Sequence, residues 1–76
     1  MSEQLPAATP QSLAEALADL DGAFVELIAE LDEAVRQARE LGDEKAGFTI
    51  LMARGKVGLG HDRIRAIIDA NKVQAL

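Results

Sequence analysis

Apolar residues recur at alternating intervals of four and three positions through the first half of the chain. The series runs from Leu13 to Leu41 and forms a sustained heptad pattern, typical of helices that pack at a shallow angle. Ile28 and Val35 widen this apolar stripe on one side, beyond what a single partner helix covers. The pattern predicts a helix over residues 13–41, about 44 Å long at roughly 1.5 Å per residue.

Signals at both ends bound this first helix. Ser12 and Glu15 have the spacing of a capping box, in which the two side chains bind free backbone N–H groups at a helix start. Gly42 predicts the helix end, because glycine readily takes the left-handed conformation found there. Residues 1–11 contain two prolines and are predicted to be a flexible lead-in. Residues 12–76 then form a single helical domain.

The second half continues the helical spacing but contains three glycines close together. Asp43 is placed to cap a helix that begins near Glu44, and a mostly apolar heptad set follows from Ala46 to Asn71. Each glycine inside a helix costs about 1 kcal/mol relative to alanine. Gly55, Gly58 and Gly60 therefore predict a break near residues 55–60, followed by a last helix from His61 or Asp62 to residue 72.

A short β-hairpin over residues 48–59 is the alternative for this segment. Phe48, Thr49 and Ile50 have strand propensity, and Arg54-Gly55 would supply the turn. Two short strands without further pairing are only marginally stable, so we favour the helical interpretation.

An antiparallel hairpin places residues side by side when their numbers sum to about 85, if the turn lies at residues 42–43. Phe24 then faces Gly58 and Gly60, and Phe48 faces the small Ala38. Large side chains meet small ones, which fills a core densely. We therefore expect the glycines to make room for Phe24, so that a methyl group at position 60 would overpack.

A chain of 76 residues buries only a modest core unless disulfides, metals or a partner chain support it. Cysteine is absent and histidine occurs once, so oligomerisation is the remaining support. We expect an all-α antiparallel helical hairpin that dimerises into a four-helix bundle. The predicted interface residues are Leu17, Leu20, Phe24, Leu27, Ile28, Leu31, Val35, Leu51, Ile64 and Ile68.

Charge is divided between the two halves. Residues 1–44 carry a net charge of −9 and residues 45–76 a net charge of +4, and this division favours the same alignment. The hairpin brings the acids of the first helix close to bases of the second: Asp19 and Asp21 near Arg63 and Arg65, and Asp32 and Glu33 near Arg54.

The stretch GKVGLGHD at residues 55–62 also suggests a phosphate-binding loop. Its glycine N–H groups and a following helix start are features that bind anions. Its spacing matches neither common nucleotide-binding motif, and an acidic chain repels a polyanion at long range. A phosphate or nucleic-acid binding module that uses residues 54–65 is therefore the alternative function. The candidate contacts are Arg54, Lys56, His61, Arg63 and Arg65.

No combination of residues indicates a reaction. His61 and Asp62 have no accompanying nucleophile and are interpreted as helix-start residues, and we expect no catalytic, cofactor or metal site. The expected function is a non-enzymatic, acidic protein–protein interaction module that acts as a homodimer and binds another protein with a basic surface. No signal peptide or apolar run of membrane-spanning length is present. We expect a cytoplasmic protein that binds neither membrane nor nucleic acid.

Overall fold

Two long helices pack against each other as an antiparallel hairpin. The computed structural model describes the backbone of residues 7–75 and the side chains of residues 7–72. Helix α1 spans Pro10–Glu40 and helix α2 spans Glu44–Ala75. The all-helical hairpin expected from the heptad spacing is therefore confirmed.

Helix α1 begins three residues earlier than predicted. Thr9 is the N-cap, and its hydroxyl accepts a hydrogen bond from the backbone N–H of Ser12, while the Ser12 hydroxyl accepts one from the N–H of Thr9. The capping box thus uses Ser12 as its third helical residue rather than as its cap, and Glu15 takes no part in it. Pro10 fits the first helical position because its fixed φ suits the helix and its missing N–H has no partner there. Of the predicted lead-in, residues 1–6 lie outside the described residues, whereas Pro10 and Gln11 are helical.

The turn lies where the sequence predicts it. Gly42 has a φ of +72°, the left-handed conformation that glycine adopts without a steric penalty. Its N–H donates to the carbonyl of Arg39, and the N–H of Asp43 donates to the carbonyl of Ala38. This pair of bonds is a Schellman motif. The Asp43 carboxylate accepts a hydrogen bond from the N–H of Ala46 and caps α2 as expected.

Helix α2 is continuous, so the predicted break near residues 55–60 is wrong. The alternative β-hairpin over residues 48–59 is wrong as well, because this segment lies inside α2. Local propensity suggested a cost of roughly 3 kcal/mol for the three glycines. Packing against α1 on both sides of the segment outweighs that cost, since most of a helix's stability in a protein comes from tertiary burial rather than propensity.

The predicted register between the helices is confirmed. A β-carbon built on Gly47 would lie 3.7 Å from the β-carbon of Ala38, and one built on Gly60 would lie 3.5 Å from the Phe24 ring. The numbers of each pair sum to 85 and 84. Asp32 and Arg54, which are bonded between the helices, sum to 86. One register therefore holds from the turn to Phe24.

Two details of the predicted packing differ from the structure. Phe48 does not fill the space beside Ala38, because it points outward and is 65% exposed. A β-carbon on Gly58 would meet the Arg54 guanidinium at 3.0 Å rather than Phe24. At Gly60, contact with Phe24 at 3.5 Å is ordinary van der Waals contact. The expected overpacking by a methyl group at this position is therefore not supported.

The hairpin buries very little by itself. Among residues 7–72, the buried apolar side chains are Leu17, Val35 and Ala38. The chain measures 14 Å along its thinnest axis, which corresponds to a single layer of helices. Domains are usually built from two or three packed layers of secondary structure, and the described residues form one such layer.

Candidate functional site

Ion pairs join the two helices along one side of the hairpin. Nε of Arg54 donates to Oδ1 of Asp32 at 3.1 Å, and Nη1 of Arg65 donates to Oδ1 of Asp21 at 3.4 Å. The predicted approach of Asp32 to Arg54 and of Asp21 to Arg65 is confirmed. We call this side of the molecule the ion-pair face.

His61 joins Asp21 and Arg65 in one cluster of side chains, which we call the Asp21 cluster. The sequence had placed His61 at a helix start. It lies in the interior of α2, and its Nε2 donates to Oδ1 of Asp21 at 2.6 Å. The imidazole also stacks on Phe24, with ring centroids 5.6 Å apart and an interplanar angle of 17°. The side chains of His61 and Asp21 are 14% and 25% exposed. This contact was not predicted from the sequence. The numbers of the two residues sum to 82 rather than 85, and α2 was predicted to break just before residue 61.

The Asp21 carboxylate is the shared acceptor of this cluster. Its hydrogen bond from His61 lowers the pKa of Asp21 below the usual value of 3.8, and Arg65 adds to the effect. A carboxylate that accepts two hydrogen bonds favours its ionised form. The geometry therefore links the two helices through one charged group.

The remaining predicted ligand contacts are separate from this cluster. Lys56 and Arg63 are exposed on α2, and no ion pair within residues 7–72 includes them. Glu33 does not reach α2, since it pairs with Arg36 on its own helix, and that guanidinium lowers the pKa of Glu33 to about 2. The stretch GKVGLGHD is helical, so it forms no loop that could cradle a phosphate with its backbone.

The opposite side of the hairpin is apolar on both helices. Successive heptad rows follow one another around a helix. On α1, the row at seven-residue spacing that contains Leu13, Leu20 and Leu27 is called the leucine row. Helical periodicity places it on one side of the residues that contact α2, and places Asp32 and Asp21 toward the other side. On α2, helical periodicity places the row of Gly60 on the same side as the leucine row, because the bonded Arg54 and Arg65 lie on the side of Asp32 and Asp21. We call this surface the leucine face, and it comprises Leu13, Leu20, Leu27, Ala46, Ala53, Gly60 and Ile67.

The leucine face is open to solvent. Leu13, Leu20, Leu27 and Ile67 are between 41% and 47% exposed. Acidic and basic residues are missing from both of its rows. Large exposed apolar patches often mark interaction sites on proteins.

The predicted interface residues fall into three groups in the structure. Leu17 and Val35 are buried between the helices, and a second group is half-buried along the same contact. Leu20, Leu27 and Leu51 are exposed, so these three are free to contact another chain. The half-buried group consists of Phe24, Ile28, Leu31, Ile64 and Ile68.

Two grooves lie at the two ends of the hairpin. The larger, of about 1100 Å³, separates the start of α1 from the end of α2 and includes Leu17, Arg65 and Ile68. The smaller, of about 400 Å³, lies at the turn beside Arg39 and Phe48. Polar side chains, among them Asp21, Arg65 and Asn71, line the larger groove beside the apolar ones.

In the described part of the chain, neither helix contains an apolar stretch long enough to cross a membrane. No three side chains of the metal-binding types converge among these residues.

Comparisons with known proteins give no match for this chain. No protein-family model matches it, and neither a curated protein nor a solved structure is significantly similar.

Proposed function

We propose that this chain is a non-enzymatic protein–protein interaction module that acts as a homodimer. The observation that carries the proposal is the leucine face, an uncharged apolar surface on a hairpin whose buried core is very small. Pairing two such faces makes a four-helix bundle in which these side chains become the core. The dimer would supply the second helical layer.

The outer side of α1 suggests how the dimer would bind another protein. Glu15, Asp19 and Glu26 are exposed there, at positions that face away from α2. An acidic surface of this kind steers the approach of a basic partner and raises the association rate. We therefore propose a partner protein with a basic surface, bound on the outside of the bundle.

Sedimentation equilibrium of the whole chain at micromolar concentration tests the homodimer. We expect twice the chain mass of 8.1 kDa. Leu27→Asp should yield a monomer that has lost much of its helical circular dichroism, because the new charge would be buried without a partner. Val25→Asp is the matched control. Val25 is exposed on the same helix, three residues from Ile28 and on the ion-pair side, so this variant should remain dimeric and helical.

A fully helical monomer in the unmodified chain would contradict the proposal. Loss of the dimer in Val25→Asp but not in Leu27→Asp would move the interface to the opposite face.

A further inference from the structure

We propose that the two copies pack with their twofold axis parallel to the helices, so that α1 of one copy lies against α2 of the other. This inference rests on the proposed homodimer and specifies its arrangement. Two hairpins joined through their leucine faces have two simple twofold arrangements. An axis parallel to the helices pairs α1 with the partner's α2, whereas an axis perpendicular to them pairs α1 with α1 and α2 with α2.

Side-chain size favours the parallel axis. The row that α1 contributes to the leucine face is made of leucines, and the row of α2 is mostly alanine and glycine. Pairing α1 with α2 of the other copy places large side chains against small ones in both helix contacts, which allows dense packing. The perpendicular axis would crowd leucines against leucines, and it would leave space between facing alanines at the α2 contact.

Charge favours the same arrangement. Next to the leucine row, the outer edge of α1 carries Glu30, and the corresponding edge of α2 carries Lys56 and Arg63; all three are exposed. An axis parallel to the helices keeps each residue at its own level along the bundle. The numbers of Glu30 and Lys56 sum to 86, the same sum as the bonded pair Asp32 and Arg54.

Glu30 of one copy therefore lies level with Lys56 of the partner subunit, on adjoining edges. The perpendicular axis would instead bring the acidic edges together and the basic edges together. Like charges placed side by side disfavour that alignment.

Disulfide cross-linking in a Glu30→Cys, Lys56→Cys double variant tests the arrangement. The chain contains no cysteine, so the introduced pair reports without background from native thiols. Within one chain the two positions lie on the outer edges of helices whose axes are about 8–10 Å apart. This separation exceeds the Cα distance of about 4.4–6.8 Å that a disulfide spans. Only a contact between copies can therefore link them.

We expect most of the oxidised double variant to run as a covalent dimer on a non-reducing denaturing gel, and each single-cysteine variant to remain mainly monomeric. The matched control is the double variant that carries both Ala29→Cys and Gly55→Cys. These two residues are exposed at the same level along the hairpin, on the outer edges of the ion-pair face. This control pair should remain unlinked under the same oxidation.

Three results would overturn the arrangement: cross-linking in the control pair, efficient linking in a single variant, or no linking between positions 30 and 56 in a chain that sediments as a dimer. A monomer in sedimentation would instead refute the homodimer itself. The two failures are thus distinguishable. Circular dichroism of each variant verifies that it is folded.

Discussion

At the scale of single residues, Asp21 makes more charged hydrogen bonds between the helices than any other described residue. Its carboxylate accepts hydrogen bonds from both His61 and Arg65, and its side chain is only partly exposed. Ion pairs on an open surface contribute little to stability. A carboxylate held by two donors, one of which stacks on Phe24, is more restricted and therefore sensitive to loss of its charge.

We predict that Asp21→Asn lowers stability at pH 7 and that its effect diminishes as the pH falls below 4. The folded structure lowers the pKa of Asp21 from 3.8. The stability that its charge contributes is therefore present above that value and is lost as the pH falls through the folded pKa. Urea unfolding of both chains at pH 7 and pH 3 measures the difference.

Asp19→Asn is the control for this experiment, because Asp19 is exposed on the same helix and has no hydrogen-bond partner among the described side chains. It should have little effect at either pH. An effect of Asp21→Asn that is equally large at pH 7 and pH 3 would contradict the role assigned to the carboxylate.

The residue-level predictions from sequence were correct where they depended on register alone. The pairing of Asp21 with Arg65 followed from the position of the turn, whereas the contact with His61 was missed. A helix start at residue 61 would have turned the imidazole toward solvent. Its true position depended on whether α2 was continuous, and local propensity could not answer that question.

At the scale of the helices, glycine stabilises the fold at position 42 and destabilises it at position 22. Gly42 has a φ of +72°, while Gly22 lies within α1 with nothing near its missing side chain. We predict that Gly42→Ala lowers stability by about 1–2 kcal/mol, because alanine is strained in the left-handed region. Gly22→Ala should raise it by about 0.5–1 kcal/mol through its better helix propensity. Urea unfolding curves of the two variants test this pair, and changes of the same sign would contradict it.

Heptad spacing and the stop signal at Gly42 were sufficient to predict α1 and the turn, because both signals are local. The continuity of α2 could not be predicted in this way. Gly47 and Gly60 lie against Ala38 and Phe24 of the other helix, and these contacts exist only after the hairpin has formed. A propensity estimate that counts glycines within one segment omits the free energy of packing between the two helices.

At the scale of the whole molecule, the proposed homodimer would couple folding to association through the leucine face. We predict that the melting temperature rises by several degrees for each tenfold increase in chain concentration, because a partner that binds only the folded state stabilises it by mass action. Leu27→Asp should remove this dependence. Circular dichroism melts over a hundredfold range of concentration measure it, and a constant melting temperature in the unmodified chain would contradict the prediction.

The width of the apolar stripe on α1 indicated from sequence that one partner helix would not cover it. Which row would be left exposed could not be predicted, because Leu17 and Leu20 belong to the same seam and differ only in their angle to α2. In the structure Leu17 is buried and Leu20 is 41% exposed. The crossing geometry of the two helices decides this difference.

The single register of the hairpin also implies an order of assembly. Contacts between the helices join residues that are 22 positions apart at Arg54 and Asp32 and 44 apart at Arg65 and Asp21. The entropy lost on closing a loop grows with its length, so contacts near the turn form at the lowest cost, and each one shortens the loop left for the next. We therefore infer that contacts form first near Gly42 and then progressively farther from the turn. The contacts of Asp21 with His61 and Arg65 form among the last.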